Sequence, residues 1–165
     1  MVLSTPGRSL LFPREISRVH RSLTRAGFSS KLDSQKIIYS KGEAEVELRV
    51  QGVHGRGGAI SVEALPCAGI TSVEQLPSAI QWTKLMPSGD WELNPRASPM
   101  IKLGVSAILH PDHLKKMIST HLKGDERTSA LDGVKQIYSG KDSEVLTSTV
   151  YELVAKALHA HLTSR

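Results

Sequence analysis

Hydrophobic and polar residues alternate along the first half of the chain, and hydrophobic residues recur at helical spacing in the second half. The clearest alternation covers residues 45–50, where Val46, Leu48 and Val50 are separated by charged side chains. This period of two predicts a β-strand with one buried face and one polar face. A second alternating run covers residues 60–64 and follows a glycine-rich loop, so the two runs together predict a β-hairpin.

Three weaker runs predict further strands at residues 79–85, 91–93 and 100–109. The first two are separated by a Pro-Ser-Gly-Asp segment at residues 87–90, whose residue types favour a turn. Short connections and one-sided patterns favour antiparallel pairing of all these strands. Residues 29–35 show no comparable pattern and are interpreted as a linker.

Three helices are predicted in the last third of the chain. The first begins with Pro111 and ends near Gly124. Proline suits the first position of a helix because its missing N–H group would have no hydrogen-bond partner within the helix there. The second is predicted over residues 126–139. The third begins after a cap at Asp142 or Ser143 and keeps one face apolar through three turns.

Strands followed by helices indicate an α+β fold. We expect an antiparallel sheet of about four to five strands, followed by about three C-terminal helices packed on one of its faces. The opposite face of the sheet carries Glu45, Glu47 and Arg49. That face is expected to meet solvent or a partner.

Residues 14–26 form an amphipathic helical pattern near the start of the chain. At 100° per residue, four arginines fall within about 60° of one another, and four apolar residues lie on the opposite side. The arginines are Arg14, Arg18, Arg21 and Arg25, and the apolar residues are Ile16, Val19, Leu23 and Ala26. This region is basic, contains serine and has almost no acidic residues, which is the composition of a mitochondrial or plastid transit peptide. The compact arginine helix favours mitochondria.

The segment Arg-Ala-Gly-Phe-Ser-Ser at residues 25–30 bears on how this leader is processed. This order, an arginine followed closely by a small or aromatic residue and then by two serines, is similar to the sites cut by the matrix processing peptidase. Cleavage is therefore predicted between Gly27 and Ser30. Two alternatives stay open: the segment is retained as a basic arm, or it is a surface helix of the mature protein.

Charge divides the chain at residue 32. Residues 1–32 hold six of the 21 basic residues and one of the 16 acidic residues, so the formal net charge of +5 belongs to them and residues 33–165 are neutral. We interpret residues 1–32 as a targeting segment or retained basic arm, and residues 33–165 as a single α+β domain. A nucleic-acid-binding domain needs a basic surface, so nucleic acid is an unlikely partner of the domain and is expected only at the N-terminal arm.

Length and composition further narrow the class of protein to which this chain can belong. A chain of 165 residues buries one core, and its apolar runs are far shorter than the roughly 20 residues of a membrane-spanning helix. Any membrane association is expected to be peripheral. The single cysteine, Cys67, cannot form an internal disulfide, which fits a reducing compartment and excludes a twin-cysteine protein.

The histidine pairs are the residues in the sequence that most resemble a metal site. His110 and His113 are three residues apart at a helix start, a spacing at which two imidazoles share a metal, and His121 lies further along the same helix. A helix cap and a solvated histidine are the favoured interpretation. His159 and His161 diverge by about 200° on a helix and are interpreted as surface or interface residues. No metal or cofactor is predicted.

No catalytic constellation is predicted either. Residues 54–58, His-Gly-Arg-Gly-Gly, have the composition of a phosphate loop without its spacing, so the glycines are expected to supply positive φ in a hairpin loop. Cys67 has no neighbouring base or acid in sequence that would activate its thiol. Trp82 and Trp91 are interpreted as core or interface residues.

An import signal, one neutral domain and no catalytic pattern predict a non-catalytic accessory subunit. We expect it in a mitochondrial inner-membrane complex, the respiratory chain or the ATP synthase, in the matrix or at the matrix face of the membrane. Its partners would be other subunits of that assembly. One alternative is a mitochondrial ribosomal protein whose basic arm contacts rRNA, and another is a small matrix enzyme or ligand-binding domain that uses His54, Arg56 or the two tryptophans.

Overall fold

The computed structural model describes residues 14–53, 58–77, 80, 83–85, 91–93, 106–141 and 143–164. Four helices and seven strands are defined within these ranges. In chain order they are α1 (Arg14–Arg25), β1 (Ser29–Asp33), β2 (Lys36–Lys41), β3 (Ala44–Gly52), β4 (Ile60–Ala68), β5 (Thr83–Leu85), β6 (Trp91–Leu93), β7 (Ser106–Ile108), α2 (Pro111–His121), α3 (Gly124–Tyr138) and α4 (Glu144–Thr163). A short 3-10 turn, Val73–Gln75, follows β4.

Five strands form one antiparallel sheet in the order β1-β2-β3-β4-β7. The predicted hairpin is the β3–β4 pair, in which Gly52 lies opposite Ile60. In the three central strands, β2, β3 and β4, every second side chain points to the same face of the sheet, and that face packs against the core. The buried residues of that face are Ile37, Tyr39, Val46, Leu48, Val50, Ile60, Val62 and Ala64. The α+β class, with four to five strands followed by C-terminal helices, is confirmed.

The interpretation of residues 29–35 as a linker is wrong. Residues 29–33 are β1, and a two-residue turn at Ser34 and Gln35 leads directly into β2, with Asp33 opposite Lys36. Ser34 takes a positive φ of 57°, as such a tight turn requires. The alternation is missing because β1 is an edge strand whose residues are mostly exposed, so burial does not select apolar side chains there.

The weaker strand predictions have mixed outcomes. β5 lies at the end of the run at 79–85, of which residues 79, 81 and 82 are outside the described residues, and β6 matches the run at 91–93. These two strands pair with each other in a separate two-stranded sheet. β7 is the only described strand of the run at 100–109, and it extends the main sheet beside β4. Residues 100–105 lie outside the described residues.

Side chains cap the N-termini of the first and the last of the C-terminal helices. His110 precedes α2, and its Nδ1 accepts a hydrogen bond from the Asp112 N–H at 3.2 Å. Ser143 precedes α4, and its Oγ accepts from the Leu146 N–H at 3.3 Å. These contacts confirm His110 as a helix cap and select Ser143 as the cap of α4.

The three C-terminal helices pack on one another and on the sheet. α4 contacts β1, β2 and β3, and α2 and α3 pack against α4. Gly133, an unfavourable residue inside α3, is buried where α3 meets α4, and a Cβ there would lie 2.0 Å from Cγ2 of Val150. Close helix approach therefore accounts for a glycine that costs about 1 kcal/mol in helix propensity.

Candidate interaction surface on the N-terminal helix

The apolar stripe of α1 belongs to the core of the domain. Ile16, Val19 and Leu23 are each 1% exposed or less and join the same cluster as the sheet and the C-terminal helices. The four arginines lie on the opposite side of α1, and all of them are exposed: Arg14, Arg18, Arg21 and Arg25. The two opposed faces therefore have different environments, a packed interior and the protein surface.

The residues that look like a processing site end the helix. The Phe28 N–H donates to the Leu23 carbonyl at 3.0 Å, and the Gly27 N–H donates to the Thr24 carbonyl at 3.1 Å. Gly27 has a φ of 98°, which a glycine adopts without strain. This bonding pattern is a Schellman motif, and the buried side chains of Phe28 and Leu23 complete it as its usual apolar pair.

The end of α1 is also tied to the sheet. Nζ of Lys41, the last residue of β2, donates to the Ala26 carbonyl at 2.7 Å. β1 begins at Ser29, and the proposed division between residues 32 and 33 falls inside that strand. α1 and β1 thus pack with the domain that follows them. Import and cleavage themselves stay predictions.

A histidine and a tyrosine form a polar contact beneath α1 that the sequence analysis missed. Nδ1 of His20 is hydrogen-bonded to the hydroxyl of Tyr39, which is fully buried on β2. His159 of α4 interacts electrostatically with His20. Nε2 of His159 is buried without a hydrogen-bond partner among the described residues. At 100° per residue, His20 lies about 40° from Ile16, so its place beside the apolar stripe was a signal in the sequence.

Burial sets the protonation of these groups. It lowers the pKa of His20, and the charges of His159 and Arg21 lower it further. Burial likewise lowers the pKa of His159 and raises the pKa of Tyr39. The folded structure therefore favours two neutral imidazoles and a protonated phenol at neutral pH.

The pH dependence of stability follows from the two histidines. In the unfolded chain they take up protons near pH 6.5, whereas the folded protein resists protonation until the pH is lower, so the unfolded state binds more protons below about pH 6.5. We expect the melting temperature to be flat above about pH 7.5 and to fall as the pH drops through 6.5. Thermal melts from pH 8.5 to 5 measure this dependence.

The double variant His20→Gln/His159→Gln provides the comparison for these melts. It is expected to flatten the decline between pH 7 and 5, whatever its effect on the absolute melting temperature. An unchanged slope in the double variant would assign the acid sensitivity to other groups.

The other histidines with described positions form two pairs that are separate from the His20–His159 contact. The rings of His110 and His113 lie 5.2 Å apart between centroids, and Nε2 of His121 lies 3.3 Å from Nδ1 of His161. His159 and His161 point to different elements, as their spacing predicts, but both are half-buried and Nε2 of His159 is buried beneath α1, so His159 is not the surface residue that was predicted. Among the residues with described positions, no group of three His, Cys, Asp or Glu side chains is arranged to hold a metal ion.

Glu47 of β3 belongs to the sheet face that the sequence predicts to meet solvent or a partner, yet Glu47 is only 5% exposed. Its carboxylate accepts from Arg49 and lies 3.4 Å from Nζ of Lys36. Burial acts to raise the pKa of Glu47, but the hydrogen bond and charge of Arg49, together with Lys36, outweigh it and lower the pKa. The exposed thiol of Cys67 has its pKa raised to about 11 by desolvation of the sulfur and by Glu47, so it is protonated at neutral pH.

The candidate ligand-binding residues are not tested by the structure. His54, Arg56 and Trp82 lie outside the described residues, and Trp91 is the first residue of β6. Gly58, at the end of the same loop, has the positive φ expected of a hairpin glycine, 61°. Within the described ranges, no helix is both long enough and apolar enough to cross a bilayer.

No protein-family model, curated protein or solved structure gives a significant match to this chain.

Proposed function

We propose that this protein is a non-catalytic accessory subunit of a mitochondrial inner-membrane complex, of the respiratory chain or the ATP synthase, at the matrix face. The observation that carries the proposal is the double character of residues 14–25. Their composition is that of an import signal, and their apolar stripe packs into the domain. The segment serves import before folding and is retained afterwards as α1.

Retention leaves the subunit with a basic surface on an otherwise neutral domain. The arginines of α1 are exposed, and residues 33–165 have balanced charges. A basic surface of this kind favours an orientation toward acidic surfaces at a larger assembly, because complementary charge steers and orients association. The same arginines favour a second candidate function, that of a mitochondrial ribosomal protein in which they neutralise rRNA phosphates.

Native-gel fractionation of gently solubilised mitochondria tests both candidates. Mass spectrometry would follow this chain through the size range of the gel. Co-migration with a respiratory complex or the ATP synthase is expected. Migration with ribosomal subunits would support the second candidate, and migration as a free small protein would contradict both.

The same samples test retention directly. Trypsin is expected to release residues 26–31 as one peptide, because it cleaves after Arg25 and after Lys31. This peptide spans the predicted cleavage interval between Gly27 and Ser30. We expect it intact in the assembled complex, whereas peptides that begin at Phe28, Ser29 or Ser30 would show that α1 is removed.

A further inference from the structure

The arginines of α1 form a single row on the protein surface. They occur at intervals of four, three and four residues, so the row runs along the helix for about 16 Å at a rise of 1.5 Å per residue. All four side chains are exposed, and none of them is in an ion pair with another described residue. Their charge is therefore not neutralised within the described part of the protein.

The rest of the exposed side of α1, as far as its side chains are described, is polar and small. It contributes the exposed Thr24 and the half-buried Ser17 and Ser22, while Ile16, Val19 and Leu23 face the core. Among the described residues, this face has no apolar or aromatic anchor. Protein interfaces are centred on such anchors, and single-stranded nucleic acid is held by aromatic stacking. A layer of phosphate headgroups needs neither.

We propose that the arginine row docks on the anionic phospholipid headgroups of a membrane surface. The inference rests on the proposed place of the protein at the inner membrane and names the surface that α1 would meet there. Guanidinium groups bind phosphate oxygens through paired hydrogen bonds, and four to eight clustered cations are typical of segments that bind anionic lipid.

The packing of α1 determines the character of this binding. An interfacial amphipathic helix ordinarily inserts its apolar face among the acyl chains. Here that face is already buried in the protein, so α1 lies on the headgroups and does not enter the hydrocarbon. Binding is then electrostatic alone, and raised salt reverses it. Its role is to orient the subunit on the membrane, while contacts with other subunits hold it.

Vesicle flotation with the full-length chain tests the proposal. Vesicles of phosphatidylcholine with 40% phosphatidylserine are compared with pure phosphatidylcholine, each at about 50 mM and 300 mM salt. We expect binding only to the anionic vesicles at low salt. At about 5-fold per arginine, the variant Arg18→Gln/Arg21→Gln is expected to bind roughly 25-fold more weakly.

A matched variant controls for overall charge. Lys115 and Lys116 of α2 are both exposed, so Lys115→Gln/Lys116→Gln removes the same charge from another surface and is expected to leave vesicle binding unchanged. Melting curves would show that both variants are folded, because all four positions are exposed. An equal loss of binding in the two variants would overturn the proposal, since the protein's net charge would then be the cause.

Two other outcomes also overturn it. One is the absence of binding to anionic vesicles at low salt. The other is a protein that does not bind the vesicles but binds poly(U) RNA, and loses the RNA binding in the variant Arg18→Gln/Arg21→Gln. That result would assign the arginine row to nucleic acid. Failure on vesicles leaves co-migration with a respiratory complex or the ATP synthase unaffected, so the two proposals fail separately.

Discussion

Removal of residues 1–27 is expected to abolish cooperative folding of the remaining chain. The deletion withdraws Ile16, Val19 and Leu23 from the core, and burial of each such side chain contributes about 1.5–3 kcal/mol. The combined loss is about 5–9 kcal/mol, similar to the entire free energy of unfolding of a typical domain. Thermal melting followed by circular dichroism, with the full-length chain beside it, measures the effect.

Single substitutions in the intact chain give a graded version of this test. Leu23→Ala is expected to cost about 2–5 kcal/mol, because the cavity it leaves lies against both the helix end and the core. Arg25→Ala, two residues away and exposed, is the matched control and is expected to cost less than about 0.5 kcal/mol. If the deleted chain melted at the temperature of the full-length protein, α1 would be dispensable for folding, as a cleaved targeting segment would have to be.

The same pattern in residues 14–26 is compatible with an import signal and with a core helix. A helical hydrophobic stripe shows that one side of the helix will be covered, but the period carries no information about the covering surface. The covering surface here comes from residues far along the chain, among them the Tyr39 and His159 neighbours of His20. The Gly27–Phe28 pair was ambiguous for a similar reason, since a helix-terminating motif and a cleavage site use the same residue types.

Predictions from sequence succeeded where burial imposed a strong period. The β3–β4 hairpin and the three C-terminal helices have long apolar faces against the core, and their positions were found to within a few residues. β1 could not be found in this way because its edge position leaves most of its side chains in solvent. The reason for Gly133 could not be found in this way either, because local propensity does not register the approach of Val150 from α4.

Ala157→Glu is expected to destabilise the domain severely. Ala157 is fully buried on α4, the helix that contacts three strands of the main sheet and the other two C-terminal helices. A carboxylate at this position would be buried without an ion-pair partner, which costs about 3–5 kcal/mol. For a domain of this size, that loss corresponds to a melting temperature lower by roughly 6–20 °C. Thermal melts at pH 8, above the range in which His20 and His159 titrate, measure it.

Val145→Glu is the matched control on the same helix. Val145 is 80% exposed in the first turn of α4, so the same acidic side chain stays hydrated there. The helix dipole favours a negative charge in the first turn by about 0.3–1 kcal/mol, so this variant is expected to melt at the wild-type temperature or slightly above it. Equal melting temperatures for Ala157→Glu and Val145→Glu would mean that α4 turns a different face toward the sheet, because only the buried position separates the two substitutions.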